Sequence, residues 1–539
     1  MSQSKIFEFP QKHSTVLTEW AKTQGPSVLK KQEKQQAKIF HMPAGNFKPK
    51  RAFTAGMASR LTANFTAVNT SIDSDLASSL NMLRARSRHL CQNNEFGKKF
   101  LSLVETNVVG STGFGFQAAP FDYTNVNGDW SKVSDRAAKN AIEDAYAKWS
   151  DEFHAEITGQ FSFTDLQRLI ARTLAQDGEV LIRRIRGSVN DYGYTQQIVD
   201  IDRLMINDNR ILENGNVVRM GVELNKYTQP VAYWLRTTHP NDTNISRNNE
   251  ITYERVPAND IFHLFIATRP EQRRGIPWIA ASIHTLYHLM EFDQSALVAA
   301  RKGADTLGFF VSPDGEPPTS ETDEDGNYIE VSVAGTFDTL PEGYDVRQLT
   351  SAYPNEMYDS FTKAILHRLA SGCDLAYHSL NSDLSEVNFS SIRSGELEMR
   401  DNWMKIQNFI IGRYLKRTFY DWLETALLKG TIKLPNNSAL PTAKIEKFKT
   451  HIWQGRRWQW VDPMKDIMAA RLAIKTGVAS PQMVAAQQGV DIEDVIEQIA
   501  LFEKMVADKK IKSIDFDISD NALALAIDQP VNTTQSNKK

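Results

Sequence analysis

The sequence predicts an α+β protein in which a block of strands is set between long helices. Three observations predict this class. Segments of alternating or β-branched residues, separated by turn residues, fill much of the region 179–267. Two later helical patterns exceed the average globular helix length. The C-terminal region carries three short helical patterns with their own start and stop signals.

The first helical pattern runs from about Asp73 to Val109. Apolar residues recur along one face, and the pattern breaks near NNEFG at 93–97. STGFGF at 111–116 is rich in glycine, but it matches neither a dinucleotide-binding motif nor a Walker loop. We therefore expect this segment to end the helix and to begin a strand.

Seven strands are predicted in the middle of the chain. Two of them flank the acidic segment ETDEDGN at 321–327, and we expect this pair to form a small separate unit. The predicted strands cover residues 179–187, 195–204, 219–225, 230–236, 260–267, 307–313 and 328–340.

Two long helices are predicted around that unit. The first follows RGIPW (274–278) and ends near Gly303, with one apolar stripe. The second covers about Glu396 to Lys429, and its apolar face includes Trp403 and Tyr414. Helices of this length bridge domains or pack in assemblies, because a single small core cannot cover them.

Three short helices are predicted at the C-terminal end. Asp462 is a good N-cap, Pro463 suits the first helical position, and Gly477 suits the residue after the helix. Ser480 precedes a second proline-led helix, and a third helix follows Gly489. Together they predict a small helical domain.

Composition limits the possible classes of protein. A chain of 539 residues is too long for one core, so we expect two to four domains. From the opening residues we expect no secretory signal, and the sequence has no run of about 18 apolar residues that could cross a bilayer. Cys91 and Cys373 cannot build a disulfide framework or a four-ligand zinc site, which fits a reducing cytoplasm. The formal net charge of −3 argues against binding nucleic acid through overall charge.

No motif predicts an enzyme active site, a cofactor or a metal. His284 and His288 are four residues apart in HTLYH, which lacks the glutamate of a zinc protease, so we expect packing or interface residues. ETDEDGN resembles a calcium loop but has Ser332 at the twelfth position, so we expect a charged hairpin tip. Cys373 lies near His367 and His378 in sequence, and we expect a buried thiol.

RARSRH at 84–89 is a basic run on the first predicted helix. It could read DNA or RNA, or it could be a solvated or subunit-facing side of the helix. We favour the second interpretation because the rest of the chain is slightly acidic.

Five blocks, in order between about residues 80 and 505, resemble the portal proteins of tailed bacteriophages, of the lambda type. Single blocks are weak evidence, whereas five collinear blocks are strong. They are RARSRHLCQNNEFGKKFLSLVETNVVGSTG, RGIPWIAASIHTLYHLMEFDQSALVAARKGA, LSEVNFSSIRSGELEMRDNW, GRRWQWVDPMKDIMAARLAIKTGVAS and GVDIEDVIEQIA.

The resemblance implies a homo-oligomeric ring, typically of twelve copies, at one capsid vertex. Double-stranded DNA would enter and leave through its central hole. A portal needs no catalytic residue, because the terminase supplies ATP hydrolysis. The implied partners are the terminase large subunit, head–tail connector or adaptor proteins, and capsid and scaffolding proteins, with no membrane. The protein would be assembled in the host bacterial cytoplasm and would reside in the virion.

The resemblance also implies a portal fold with a mixed α/β wing, long stem and tunnel helices, a small α/β clip and a helical crown. KKQEKQQAK at 30–38 marks an arm that we expect to order only against a partner. The implied regions are an N-terminal arm (1–60), the wing (61–277), a first stem helix (278–303), the clip (304–353), a second stem helix (354–378), a tunnel loop (379–395), the tunnel helix and return to the wing (396–461), the crown (462–507) and a disordered tail (508–539).

The polar segment 379–393 lacks helical periodicity and corresponds to the family's tunnel loop. A tunnel wall should not grip its cargo, since several cations per subunit would hold the closely spaced DNA charges. The expected DNA-facing residues are therefore polar or acidic. They are Asn381, Ser382, Asp383, Ser385, Glu386 and Asn388.

GRRWQWVDP would be the corner between wing and crown. Trp458 and Trp460 alternate with Gln459, so a strand would place both on one buried face. We expect Arg456 and Arg457 to pair with carboxylates of this or a neighbouring copy, and DNA is the alternative. Two other classes remain open, another structural ring or tail component of a phage and a nuclease or terminase subunit, although the motifs that the enzyme would need are missing.

Overall fold

A computed structural model describes most of the chain between residues 68 and 508. The chain divides into two units, Met1–Asn69 and Thr70–Lys539, and all elements named below belong to the second. The described residues are 68–126, 129–151, 153–242, 252–305, 308–311, 345–348, 357–385, 389–458, 463–488, 490 and 492–508. The predicted arm, the segment ETDEDGN, the strand at 328–340, Glu386, Asn388, Trp460, Asp462 and residues 509–539 of the tail lie outside them.

The first predicted helix is confirmed, together with its break. α1 (Ile72–Asn93) ends at Asn94, whose side chain caps α2 (Glu95–Val104) by accepting hydrogen bonds from two backbone N–H groups. A Cβ atom on Gly97 would lie 2.5 Å from a carbonyl oxygen of α1, so only glycine allows the two helices to meet this closely. α2 continues into a π-helical turn, Glu105–Val109.

The segment after this turn ends the helix and begins a strand, as predicted. β1 (Gly115–Ala118) pairs antiparallel with a strand near the C-terminal end, β14 (His451–Gln454). A hairpin follows, formed by β2 (Phe121–Val126) and β3 (Asp129–Ser134). The β1–β14 pair therefore places residues 115–118 beside residues 451–454.

Two helices lead into a three-stranded sheet. α3 (Arg136–Trp149) precedes α4 (Phe163–Asp177), which begins with a capping box formed by Ser162 and Asp165. The sheet has the order β11-β4-β5, in which all pairs are antiparallel. Its strands are β4 (Glu179–Arg186), β5 (Tyr194–Val199) and β11 (Ile261–Phe265).

A five-stranded sheet lies between β5 and β11 in sequence, and it corrects one predicted strand. Residues 219–225 do not form one strand, because Met220 and Gly221 both have positive φ and make a tight turn. The neighbouring prediction, 230–236, is confirmed. The strands are β6 (Arg210–Ile211), β7 (Val217–Arg219), β8 (Val222–Leu224), β9 (Pro230–Arg236) and β10 (Tyr253–Pro257).

The helix predicted after RGIPW begins later than expected. α5 covers Ile283–Asp305, after a 3₁₀ turn at Ala280–Ser282. The RGIPW residues instead pack on the α4–β4 junction, where a Cβ atom on Gly275 would lie 2.1 Å from the Gly178 carbonyl oxygen. Beyond α5, β12 (Gly308–Val311) pairs antiparallel with β13 (Asp345–Gln348), so both ends of the intervening segment are adjacent.

The region predicted as a second stem helix, 354–378, contains two helices. α6 (Met357–Gly372) is separated from the short α7 (Tyr377–Asn381) by a turn in which Asp374 has a positive φ of 54°. A non-glycine residue in this conformation interrupts a right-handed helix, because its Cβ crowds the backbone.

The longest helical pattern is confirmed and is longer than predicted. α8 (Phe389–Ile410), a π turn (Ile411–Leu415) and α9 (Lys416–Lys429) form a continuous run. At about 1.5 Å per residue the run is roughly 60 Å long. We call it the long helix. It ends at Gly430, which has the left-handed conformation of a helix C-cap.

The apolar face of the long helix completes the main core. Phe419 and Trp422 are fully buried and lie next to Tyr146 and Trp149 of α3. Tyr414 hydrogen-bonds to Gln196 of β5 at 2.5 Å. This helix therefore joins α3 and the three-stranded sheet, and its residue Tyr414 is 218 residues from Gln196 in sequence.

The C-terminal helices are confirmed. α10 (Ile445–Phe448) precedes β14, and three further helices follow the corner: α11 (Pro463–Lys475), α12 (Pro481–Gln487) and α13 (Ile492–Asp508). Gly477 has the positive φ expected after a helix, and the Ser480 side chain caps α12. Within the described ranges, no helix combines the length and the apolar composition needed to cross a bilayer.

Candidate functional site

The corner at residues 455–458 is not the strand that the sequence predicts. β14 ends at Gln454, and the chain from Gly455 to Trp458 is irregular. Trp458 is therefore placed by its side-chain contacts and not by strand alternation, and Pro463 begins α11 as predicted. Beyond Gln454, the Arg456 carbonyl oxygen accepts a hydrogen bond from the Gln407 side chain and not from a partner strand.

Asn107, in the π turn after α2, is the centre of this corner. Its Oδ1 accepts a hydrogen bond from Arg456 Nη1 at 2.8 Å and another from Trp458 Nε1 at 3.0 Å. Arg456 also donates to the Thr106 carbonyl oxygen at 2.7 Å. One buried amide thus fixes both side chains of the corner.

Gln407 attaches the long helix to the same point. Its Nε2 donates to the carbonyl oxygens of Asn107 at 3.0 Å and Arg456 at 3.1 Å. A Cβ atom at Gly455 would lie 2.3 Å from Gln407 Oε1, so the close approach requires glycine. The sequence did not lead us to Asn107 or Gln407. The available signal was a glutamine between Trp403 and Ile410, inside an otherwise apolar stripe.

The expected pairing of Arg456 and Arg457 with carboxylates is wrong within the described part of this chain. Arg456 binds neutral acceptors, and its guanidinium lies 5.8 Å from the Trp458 ring, as does that of Arg400. Arg457 contacts the Met404 sulfur at 3.6 Å. Burial and the nearby Arg400 lower the pKa of Arg456 from its ordinary value. Pairing with a neighbouring copy stays a prediction.

The predicted tunnel loop is shorter than the range 379–395. Asn381 is the last residue of α7, and α8 begins at Phe389. The polar composition at 389–395 did not prevent a helix, because the helix continues into the strongly apolar stripe beyond it. Only Ser382 to Ser385 of the described residues form the loop, beginning with Ser382 in the left-handed conformation.

Hydrogen bonds hold Asp383 within this loop. Its Oδ1 accepts hydrogen bonds from the Ser385 backbone at 3.0 Å and hydroxyl at 2.6 Å. These bonds lower the pKa of Asp383, so its half-buried carboxylate is charged. Asn381 donates to the Tyr377 hydroxyl at 3.0 Å, and the Tyr377 ring stacks on His367 at 3.9 Å. The loop therefore presents a fixed negative charge.

A buried ionic cluster lies where α1 meets the start of β4. Glu179 is fully buried and accepts hydrogen bonds from Arg84, from Arg274 at 2.9 Å and from His263 at 2.7 Å. The backbone N–H of Gly275 donates to the same carboxylate at 2.9 Å. We call Glu179 and its four partners, Arg84, Arg274, His263 and Gly275, the Glu179 cluster. It binds α1, the three-stranded sheet and the RGIPW segment together.

The basic run RARSRH is therefore not the surface that the sequence suggests. Arg84 is only 2% exposed, and Arg88 pairs with Asp177 at 2.8 Å and Asp202 at 2.5 Å. The nucleic-acid interpretation is wrong for both arginines, and so is a solvated position for them, whereas a subunit-facing side of the helix stays a prediction. Arg86 and His89 remain exposed.

Asp200, Asp202 and His239 are the described residues grouped closely enough to hold a metal ion, with candidate ligand atoms within 4.8 Å of one another. Arg88 already lies 3.7 Å from Asp200 and 2.5 Å from Asp202. Its guanidinium neutralises the carboxylates that a cation would need, so the donor set does not favour a metal.

The structure also describes the surroundings of two further sequence motifs, the pair His284 and His288 and the thiol of Cys373. His284 and His288 are exposed on α5, so packing within this chain is the wrong interpretation for them, whereas the interface alternative stays a prediction. Burial raises the pKa of Cys373 to about 11, which keeps its thiol protonated, and its sulfur lies 3.9 Å from the Ser282 hydroxyl. His367 stacks on Tyr377 and is not oriented to activate the thiol by any described contact.

Comparisons with known proteins agree with one another. The family described as "Phage portal protein, lambda family" matches residues 58–407. The probable portal protein of Halomonas phage phiHAP-1 is 34% identical over 458 residues, which cover 84% of this chain and 86% of that protein. The portal protein of Escherichia phage N15 is 22% identical over 459 residues, 79% of this chain and 85% of that one.

Among solved structures, a chain from the neck of an empty GTA particle, computed with C6 symmetry, covers 76% of this chain and 93% of its own length. Its TM-score is 0.39 and its sequence identity is 11%. The sequence comparisons, and not this likeness, carry the assignment below.

Proposed function

The chain belongs to the lambda family of phage portal proteins, and from this premise we propose that its copies form a ring at one capsid vertex. The ring would carry double-stranded DNA through its centre during packaging and ejection. The family is one of structural virion proteins and not a known enzyme class. The observation that carries the proposal is the match along most of the chain, with a relative 34% identical over 458 residues.

The long helix supports this proposal. It is roughly 60 Å long by its rise per residue, and one face packs into the core while the residues of the other face are exposed. In a closed ring each subunit contacts one neighbour on each side. An element that extends across the subunit can contribute to both of these interfaces. A dodecamer is the copy number that the family resemblance implies.

We propose that the loop from Asn381 to Asn388 faces the DNA. Its described part presents the charged Asp383 beside the hydroxyls of Ser382 and Ser385. A carboxylate repels phosphate, so such a loop limits the approach of DNA without holding it. Glu386 would add a second negative charge at the same place.

We propose that the region 304–353 docks the terminase large subunit and later the head–tail connector proteins. Its described part is the β12–β13 pair, which brings residues 311 and 345 together. Capsid and scaffolding proteins would contact the ring from its other surfaces. Assembly would take place in the host bacterial cytoplasm.

Negative-stain microscopy with native mass measurement tests the ring. We expect rings with a hole of roughly 20 Å or more, wide enough for a duplex, and a mass that gives the copy number. If purification yields a monomer, co-expression with the scaffolding and capsid proteins provides the assembly surface, and the same rings are then expected. A compact closed dimer without a hole would contradict the proposal.

The second candidate is another structural ring or tail component of a phage. Gold-labelled protein in procapsids distinguishes the two, because a portal occupies a single vertex. Label at the tail, and none at a vertex, would favour the alternative.

A further inference from the structure

The exposed face of the long helix carries a run of unpaired cations. Lys405, Arg413, Lys416 and Arg417 are all exposed, and the sequence from Asn402 to Tyr420 contains no Asp or Glu. The first and last of these residues are about 18 Å apart along the helix at 1.5 Å per residue. We call these four residues the cationic stripe.

The π turn determines how the stripe is arranged. The backbone N–H of Lys416 bonds to the carbonyl oxygen of Ile411, five residues earlier, so this turn is wider than an α-helical turn. Tyr414 and Leu415 stay buried, while Arg413 and the pair Lys416–Arg417 lie on the exposed side. The wider turn thus keeps the apolar residues in the core and leaves the cations outside it.

None of the four cations has an ion-pair partner among the described residues. Most arginines elsewhere in the described chain do, including Arg183 with Glu254 at 2.5 Å and Arg184 with Asp421 at 2.8 Å. Two of the four lie near aromatic rings: Lys416 is 5.8 Å from the Tyr420 ring and Arg417 is 5.9 Å from the Phe262 ring. Its charge is therefore available to an external partner.

The surface around the stripe favours a polyanion over a protein partner. A protein interface needs a buried apolar or aromatic anchor. Among the described residues of the long helix, the exposed large hydrophobic ones are Leu397 and Leu428, which lie beyond both ends of the stripe. At its middle, a Cβ atom on Gly412 would meet no atom within 4 Å. Between Lys405 and Arg417 the exposed side of the helix is open and its charged residues are all positive, whereas the exposed Asp401 and Glu424 lie beyond the two ends of the stripe.

We propose that the cationic stripe binds the phosphate backbone of duplex DNA. A duplex carries one charge per ~1.7 Å of axis, so a stripe of this length lies opposite about ten phosphates. The inference extends the proposed function, because it assigns a DNA contact outside the acidic loop. The loop repels phosphate and the stripe attracts it. Four cations per copy oppose sliding, so the stripe suits DNA that is at rest.

Binding of a short fluorescent duplex of mixed sequence, measured by anisotropy over a range of salt concentrations, tests the stripe. Log affinity falls as log salt rises. The variant K405Q/R413Q/K416Q/R417Q should make this fall less steep by roughly 3.6, about 0.9 for each lost phosphate contact. The loss of affinity between 50 mM and 200 mM salt then shrinks by roughly 100-fold.

A matched control removes the same charge elsewhere. R86Q/K98Q/R219Q/K226Q also replaces four exposed cations that have no ion pair among the described residues, and it should keep the wild-type slope. R413K/R417K keeps the charge of the stripe and should retain binding. Wild-type binding by the stripe variant, or an equal loss in the control, would overturn the proposal.

Native mass of each variant separates the stripe from the ring. If the stripe variant loses its assembly while the assembled fraction binds DNA normally, the stripe faces a neighbouring copy and the DNA proposal is wrong. If rings form and the stripe variant still binds DNA fully, only the stripe proposal fails. If no ring with a hole is found in any condition but the stripe variant loses DNA binding, the portal proposal fails and the stripe stands.

Discussion

Two basic helical segments of this chain lie in different environments. In RARSRH, Arg84 and Arg88 point into the protein and meet Glu179, Asp177 and Asp202. In the cationic stripe, Lys405 to Arg417, all four cations are exposed and have no ion pair among the described residues. The first segment is the more obvious nucleic-acid candidate in the sequence, and the structure shows that Arg84 and Arg88 form ion pairs within the chain.

The difference comes from what each helix packs against. α1 lies on the α4–β4 junction, where carboxylates from distant parts of the chain converge. Moving a charge out of water is costly unless an opposite charge and hydrogen bonds replace the water. The long helix buries its apolar face instead, so its cations keep their hydration. A cluster of arginines in sequence therefore does not establish a free positive surface.

The largest expected effect comes from removing the central carboxylate of the buried cluster. Glu179→Gln leaves Arg274 buried without an ion-pair partner among the described residues and leaves Arg84 with only Asp202 at 3.8 Å. We expect a loss of about 3–5 kcal/mol in the free energy of unfolding. Chemical denaturation at a matched oligomeric state measures it. Glu446→Gln, which removes an exposed partner of Lys449, should cost less than about 1 kcal/mol. Equal effects in the two variants would contradict the comparison.

Arg456 is an intermediate case, since neutral groups satisfy a partly buried guanidinium. Asn107→Ala removes the oxygen that accepts from both Arg456 and Trp458. We expect about 1–3 kcal/mol of destabilisation, because Trp458 Nε1 loses its described acceptor and Arg456 Nη1 keeps only the Thr106 carbonyl oxygen. Asn408→Ala, at an exposed position on the long helix, is the control and should change stability by less than about 0.5 kcal/mol. An Asn107→Ala variant as stable as this control would show that the corner does not depend on the amide.

The Glu179 cluster should also make stability depend on pH. Burial and the neighbouring Arg274 and Arg84 lower the pKa of His263 well below 6.5, so its ring is neutral in the folded chain. The unfolded chain binds this proton at about pH 6.5. Stability is therefore fully present above that pH and falls as the pH decreases below it, by up to about 1.4 kcal/mol per unit.

Denaturation midpoints measured across this pH range check the effect. His263→Gln should flatten the dependence, whereas His284→Gln, which replaces an exposed histidine on α5, should leave it unchanged. If both variants retain the wild-type profile, His263 is not the group responsible.

The smallest expected effect belongs to the cationic stripe. K405Q/R413Q/K416Q/R417Q removes four charges that support no described ion pair, so the free energy of unfolding should change by less than about 0.5 kcal/mol per site. Thermal and chemical unfolding measure it alongside the Glu179→Gln variant. A large destabilisation would mean that the stripe, like RARSRH, serves the fold.

Much of the fold could be predicted because its signals are local. The apolar stripe of Trp403, Ile410 and Tyr414 predicted the long helix, and Pro463, Gly477 and Ser480 marked the ends of the C-terminal helices. Two of the wrong predictions have an identifiable physical cause. The turn at Met220–Gly221 splits a predicted strand, since the pattern of apolar residues continues through it. The polar residues at 389–395 are helical, because the helix extends from a stable core.

The candidate site was less predictable than the fold. Trp458 and Arg456 stood out by composition, but their partner Asn107 is about 350 residues away in sequence, and no spacing rule connects them. In the sequence Gln407 looks like an ordinary helical residue, and only the folded chain places Gly455 against it. The predicted loop residues Asn381 and Asp383 do share hydrogen bonds through Tyr377, yet their orientation toward DNA stays a prediction.

The sequence by itself determined the class, the family resemblance, the order of most elements and the absence of familiar catalytic motifs, because caps, periodicity and collinear blocks are properties of neighbouring residues. Only the tertiary structure decided which charges are neutralised. Arg84 and Arg413 look alike in sequence, and one is buried against Glu179 while the other is exposed. The physical reason is that the energy of a charge depends on the groups around it in space, and chain folding alone determines those groups.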